Sequence, residues 1–105
     1  MATPLTVNTD RRKDGTLVVS ATGEIDLSNI DVFSRALNDA ARHNAKLTVD
    51  LGAVEYLYSG AINALFTHVD RIQRIIANRF LIPALTVSGL TELATVERKP
   101  HAAES

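Results

Sequence analysis

The chain has no cysteine and no tryptophan, and aromatic residues make up 5% of its 105 positions. Without thiols there are no disulfides, no thiol nucleophile and no thiolate metal site, a composition suited to a reducing cytosol. So few aromatics require a core of aliphatic side chains. No apolar run approaches the about 18 residues that a membrane-spanning helix needs. The first residues, "MATPLTVNTDRR", lack the basic segment and apolar run of a secretion signal. A surplus of charge is missing as well. Eleven Lys and Arg against twelve Asp and Glu leave a net charge of −1, which gives no general attraction to nucleic acid. The expectation is a cytoplasmic protein with no direct nucleic-acid contact and no insertion into membranes.

What is present is the balance of a folded domain. Hydrophobic residues are 46% and charged residues 22% of a length that suits one core. In "PLTVNTDRRKDGTLVVSATGEID", Asp14-Gly15 marks a hairpin turn between two strands. Leu5 and Val7 alternate with polar residues, and Leu17, Val19 and Ala21 share a face opposite Val18. Apolar residues on both faces place this second strand inside a sheet.

"LSNIDVFSRALNDAARHN" changes to a helical period, with Ile30, Phe33, Leu37 and Ala40 or Ala41 forming one stripe. Ser28 reads as its N-cap, Asp31 as a weak capping-box partner, and Leu27 as a staple against Val32. "AKLTVDL", residues 45–51, is a β-branched strand that completes a βαβ unit with parallel strands. "SGAINALFTHVDRIQRIIAN" reads as one long second helix burying Ala61, Leu65, Val69, Ile72 and Ile76. "RFLIPAL" reads as a further short strand ended by Pro83. "LTVSGLTELATVE" is expected to be a last helix with Val87, Leu90 and Leu93 or Ala94 inward, although a strand "LTVSG" before a shorter helix also fits. Gly89 weakens the helical reading by about 1 kcal/mol relative to Ala. Residues 97–105 are expected to form a flexible polar tail.

Catalytic equipment is sparse. His43, His68 and His101 include no pair at the i, i+4 spacing of a helical metal site. Ser59 lacks the surrounding glycines of a nucleophile elbow, and no Gly-rich phosphate loop occurs. No cofactor, no metal and no enzymatic activity are expected. Glu24, Asp26 and Asp50 fall at or near the ends of two parallel strands, the edge where open α/β sheets bind ligands. For each acid taken alone, solvating a strand end or capping a turn is the readier explanation. Ser59 opens the second helix, either as its cap or as a residue that another protein reads.

The two segments "GEIDLSNIDVFSRAL" and "LTVDLGAVEYLYSGAINAL", in that order and about twenty residues apart, resemble the STAS domain of bacterial anti-sigma factor antagonists. The likeness spans roughly residues 5–96. It implies an α/β fold: a single STAS-like domain over residues 1–96, with a mixed four- to five-stranded sheet and helices mainly on one face. It also implies a partner-switching protein that binds an anti-sigma factor with a serine-kinase-like fold and frees a sigma factor. In the family that kinase phosphorylates a serine in the turn before the second helix, and a phosphatase reverses it. Here Tyr58 replaces the usual Asp, Ser59 matches the first serine, and Gly60 stands at the usual acceptor. Either Ser59, one residue early, is the candidate phosphorylation site, or the protein is not switched by phosphorylation at all; Thr67, two turns on, is a poor substitute. The implied partner surface comprises Glu24, Asp26, Tyr56, Tyr58, Ser59, Gly60 and Asn63, on a monomer or weak dimer.

Overall fold

The structure, a computed structural model, describes residues 4–99. Strands β1 (Thr6–Arg11) and β2 (Leu17–Ile25) form the expected antiparallel hairpin. Its turn closes through Gly15 N–H to Arg12 C=O at 3.0 Å, with Gly15 at φ +91°. That left-handed geometry is open to glycine at little cost. Helix α1 (Ile30–Ala41) buries Phe33, Leu37 and Ala40, as its apolar stripe requires.

Strand β3 (Leu47–Leu57) lies parallel to β2 and runs six residues beyond the expected segment. It passes through Gly52, with irregularities in its pairing with β2. From Ser20 to Ile25 β2 takes five steps, while β3 takes seven from Asp50 to Leu57. The two surplus residues add local twist and re-aim the side chains that follow. Asp50 therefore does not close a strand but lies inside one. Its carboxylate accepts the Gly52 N–H at 2.9 Å and faces Lys99 Nζ at 3.7 Å.

Helix α2 (Ser59–Thr67) is shorter than its periodicity implies. A turn at 68–71 leads into β4 (Ile72–Ala77), parallel to β3 with Leu51 opposite Ala77. Ile72, Ile75 and Ile76 fit a helical spacing by coincidence. Their β-branched side chains find a better surface on the sheet, where Ile72 and Ile75 are buried. "RFLIPAL" is likewise no strand. It holds the start of α3 (Ile82–Val87), with Pro83 in the first turn, where its missing N–H leaves no helical bond unmade.

The last segment is not one helix. Gly89 at φ +90° separates α3 from the single turn α4 (Leu90–Leu93), and β5 (Thr95–Arg98) follows, parallel to β4. Leu90 is buried as expected, but Val87 is 88% and Leu93 58% exposed, because the break rotates them outward. β5 takes in Glu97 and Arg98, two residues read from the sequence as tail; residues 100–105 of that tail lie outside the described residues. The five strands stand in the order β1-β2-β3-β4-β5. One apolar core joins Leu17, Val19, Leu47, Val49 and Ile75 of the sheet to Phe33, Leu65, Leu85 and Leu90 of the helices. Burial against that single layer leaves the opposite sheet face with polar residues such as Ser20, Asp50, Arg74 and Glu97.

Candidate functional site

Parallel pairing brings the ends of β2 and β3 side by side. Glu24 is in register with Tyr56, and Ile25 with Leu57. The Tyr58 N–H then donates to the Ile25 carbonyl at 2.8 Å, which carries the pairing one residue past the strand. Tyr58, with extended backbone, is the N-cap of α2, and its carbonyl accepts the Ala61 N–H at 2.8 Å. Ser59 is therefore the first helical residue and is exposed; no side chain caps this helix. The capping explanation for its hydroxyl does not hold.

The loop after β2 is held by its own side chains. Asp26 N–H donates to Asn29 Oδ1 at 2.8 Å, and Asn29 Nδ2 donates to the Glu24 carbonyl at 2.9 Å. Ser28 donates its hydroxyl at 2.6 Å and its N–H at 3.0 Å to one Asp26 carboxylate oxygen. These bonds favour the ionised acid, with the Ser28 hydroxyl the largest influence, and hold Asp26 below the ordinary aspartate value. Ser28 is thus not the cap of α1. Asn29 occupies that position, and the nearby carboxylate has taken the serine hydroxyl. The expected staple is absent too, since Leu27 and Val32 are 71% and 50% exposed.

Tyr56 is 52% exposed beside Glu24, whereas Tyr58 is half-buried. The Tyr58 ring turns back over the first turn of α2. A Cβ placed on Gly60 would stand 2.7 Å from Tyr58 Cε2, 2.9 Å from Cδ2 and 3.6 Å from Ile30 Cγ1. Asn63, one turn further along α2, is exposed, and its carbonyl accepts the Thr67 hydroxyl at 3.0 Å. The structure thus gathers Glu24, Asp26, Tyr56, Tyr58, Ser59 and Gly60 at one end of the parallel strands. Asn63 extends that edge along the helix.

Two residues that the sequence did not single out hold this edge in place. Asn29 is one; an Asp followed three positions later by Asn at a helix start was the available signal. The other is Asn78, just past β4. Its Nδ2 donates to the carbonyls of Val54 at 2.8 Å and Gly52 at 3.3 Å, tying down the part of β3 that outruns β4. Beside it lies an open groove of about 610 Å³, lined by Thr22, Ala53, Val54, Glu55 and the exposed Phe80. Among the described residues no three His, Asp or Glu side chains are grouped to hold a metal ion. No helix among them is long and apolar enough to cross a membrane.

The family model described as "Mlab, STAS domain" matches residues 8–95. Among solved structures, an anti-sigma factor antagonist from Mycobacterium paratuberculosis superposes with a TM-score of 0.81 at 22% identity, over 96% of this chain and 90% of that one. An uncharacterised protein with a SpoIIAA-like fold from Shewanella loihica gives 0.62 at 12% identity, over 97% and 90%. No curated protein sequence matches the chain.

Proposed function

Because this chain belongs to the STAS domain family, we propose that it is an anti-sigma factor antagonist, which binds an anti-sigma factor of kinase-like fold and so releases a sigma factor. The observation that carries this reading is the register of Glu24 with Tyr56 and of Ile25 with Leu57. That register delivers the start of α2 and the 24–26 loop to one exposed edge, the surface a protein partner would cover. The likeness to the anti-sigma factor antagonist from Mycobacterium paratuberculosis supports the same role. The protein acts by binding, in the cytoplasm, as a monomer or weak dimer.

Control by phosphorylation falls to Ser59, with a phosphatase to reverse it. A phosphate on the first helical residue meets unpaired N–H groups and the positive end of the helix dipole, so the fold tolerates it. The complex does not, because the partner closes over this turn and strips the new charge of its water. A loss of about 3 kcal/mol weakens binding more than a hundredfold, enough to reverse a competition for one anti-sigma factor.

Co-purification from its own cell, followed by identification of what is bound, tests the role. Recovery of an anti-sigma factor supports it, and failure to bind any anti-sigma factor of that cell in pull-downs sinks it. A second reading is a STAS regulatory subunit of a membrane transport complex, favoured by Gly60, which leaves the turn without a hydroxyl at that position. Recovery of an ATPase or permease in the same experiment would select it.

A further inference from the structure

Gly60 is at odds with its surroundings. It lies in the first turn of α2 and has no positive φ, so its backbone does not call for glycine. In a helix glycine is less favourable than alanine by up to about 1 kcal/mol. The reason for its presence is the Tyr58 ring, which fills the space that any side chain at position 60 would enter, with Ile30 of α1 behind it. Tyrosine two residues earlier and glycine here form a single feature, a ring seated on a bare stretch of helix.

The two segments that meet at this edge are acidic along the sequence, with Arg35 just beyond the first and Arg79 stacked on the Phe80 that shares a groove with Glu55. Residues 24–34 and 51–67, which build this edge, include the carboxylates Glu24, Asp26, Asp31 and Glu55 and no Lys or Arg. Yet the whole chain is almost neutral at −1. At the centre stand the seated Tyr58 and the exposed Tyr56, with Leu27 at 71% exposure on the adjoining loop. Aromatic anchors within a charged rim are the anatomy of a protein-binding hot spot.

We infer that Tyr58, seated on Gly60, is the specificity-determining residue of this edge, and that it fits a protein partner with an apolar pocket framed by Lys and Arg. Resting on the proposed antagonist role, this names the chemistry of the partner surface: the ring is read directly, and the Ser59 hydroxyl contributes little to binding in the unmodified protein. Seating fixes the ring before the partner arrives, so less side-chain freedom is lost on binding. The acidic rim steers a basic surface toward it.

Two measurements on the full chain test this. The first is thermal unfolding of the wild type, Gly60→Ala, Tyr58→Ala and the double variant. A methyl at position 60 should lower the midpoint when the ring is present and raise it when the ring is gone. Equal shifts in the two backgrounds would overturn the seating. The second is calorimetric titration of the purified anti-sigma factors of the source cell. Tyr58→Ala and Gly60→Ala should each weaken binding about tenfold or more, Ser59→Ala less than about twofold, and wild-type affinity should fall as salt rises. Full affinity in Gly60→Ala, or a larger loss in Ser59→Ala than in Tyr58→Ala, overturns ring recognition. If the wild type binds none of them, the antagonist role fails and ring recognition with it, while the unfolding cycle still decides the seating.

Discussion

Asn29 grips the main chain of Glu24: its Nδ2 donates to the Glu24 carbonyl oxygen at 2.9 Å while its Oδ1 accepts the Asp26 N–H. One side chain thus sets the path by which the chain leaves β2 and enters α1. Asn29→Ala removes both bonds and should destabilise the protein by about 1–2 kcal/mol. Asn29→Asp keeps an acceptor for the Asp26 N–H but sets a carboxylate oxygen against the Glu24 carbonyl, so it should not restore the stability. Denaturant unfolding measures both, and faster hydrogen exchange at the Asp26 amide would place the damage in this loop.

Asp26 makes the same loop sensitive to acid. Its folded-state pKa lies below the ordinary 3.8 because Ser28 and the neighbouring N–H groups bond the ionised form. A depressed value means that the stabilisation is whole above 3.8 and is lost as pH falls through the lower folded value. Neutral and mildly acidic conditions leave it untouched. In an NMR titration the Asp26 carboxyl should titrate below 3.8, and Ser28→Ala should bring it back up toward that value. An unchanged midpoint in the variant would remove Ser28 as the cause.

Ser59 stands exposed at the first helical position. Ser59→Asp places a negative charge at the positive end of α2 and should leave the stability unchanged or raise it by about a few tenths of a kcal/mol. Its complex with the partner should weaken markedly. With a cognate kinase and ATP the wild type should be labelled and Ser59→Ala should not. Labelling retained in Ser59→Ala would move the acceptor to another hydroxyl.

Gly89 is the joint between α3 and α4, at φ +90° with free space around its missing side chain. Gly89→Ala brings no clash but forces a left-handed backbone on an L residue, at a cost of about 1–2 kcal/mol. For a chain of this size each kcal/mol lowers the midpoint by about 4–8 °C. Calorimetric unfolding checks it, and an unchanged midpoint would show that the break rests on something other than backbone strain.

How much of this was readable from residues alone differs along the chain. The hairpin at Gly15, the burial of Phe33 and Leu37, and the parallel pairing of β2 with β3 follow from turn chemistry and local period. The second half was harder. Ile72 and Ile75 stand three apart, a helical spacing, and share the core in β4 because its pairing with β3 shifts register between Ile72 and Arg74. Pro83 carries two opposite meanings, a ladder breaker in a strand and a favoured first-turn residue in a helix, and the neighbouring burial of Leu81 and Leu85 decides between them. Within the candidate edge, Asp50 misled because a strand was expected to end there, whereas bulges let β3 run on to Leu57.

Residue order alone carries the alternation and stripes that bury one aliphatic face, and the ordered segments that place the chain in its family. Both are local properties, carried by neighbours a few positions apart. Pairing in space settled that β3 would outrun β4, that Asn78 would tie its projecting part and Asn29 the loop after β2, and that the Tyr58 ring would lie on Gly60. Those outcomes depend on which distant groups meet after the strands pair, and no window of consecutive residues holds that information.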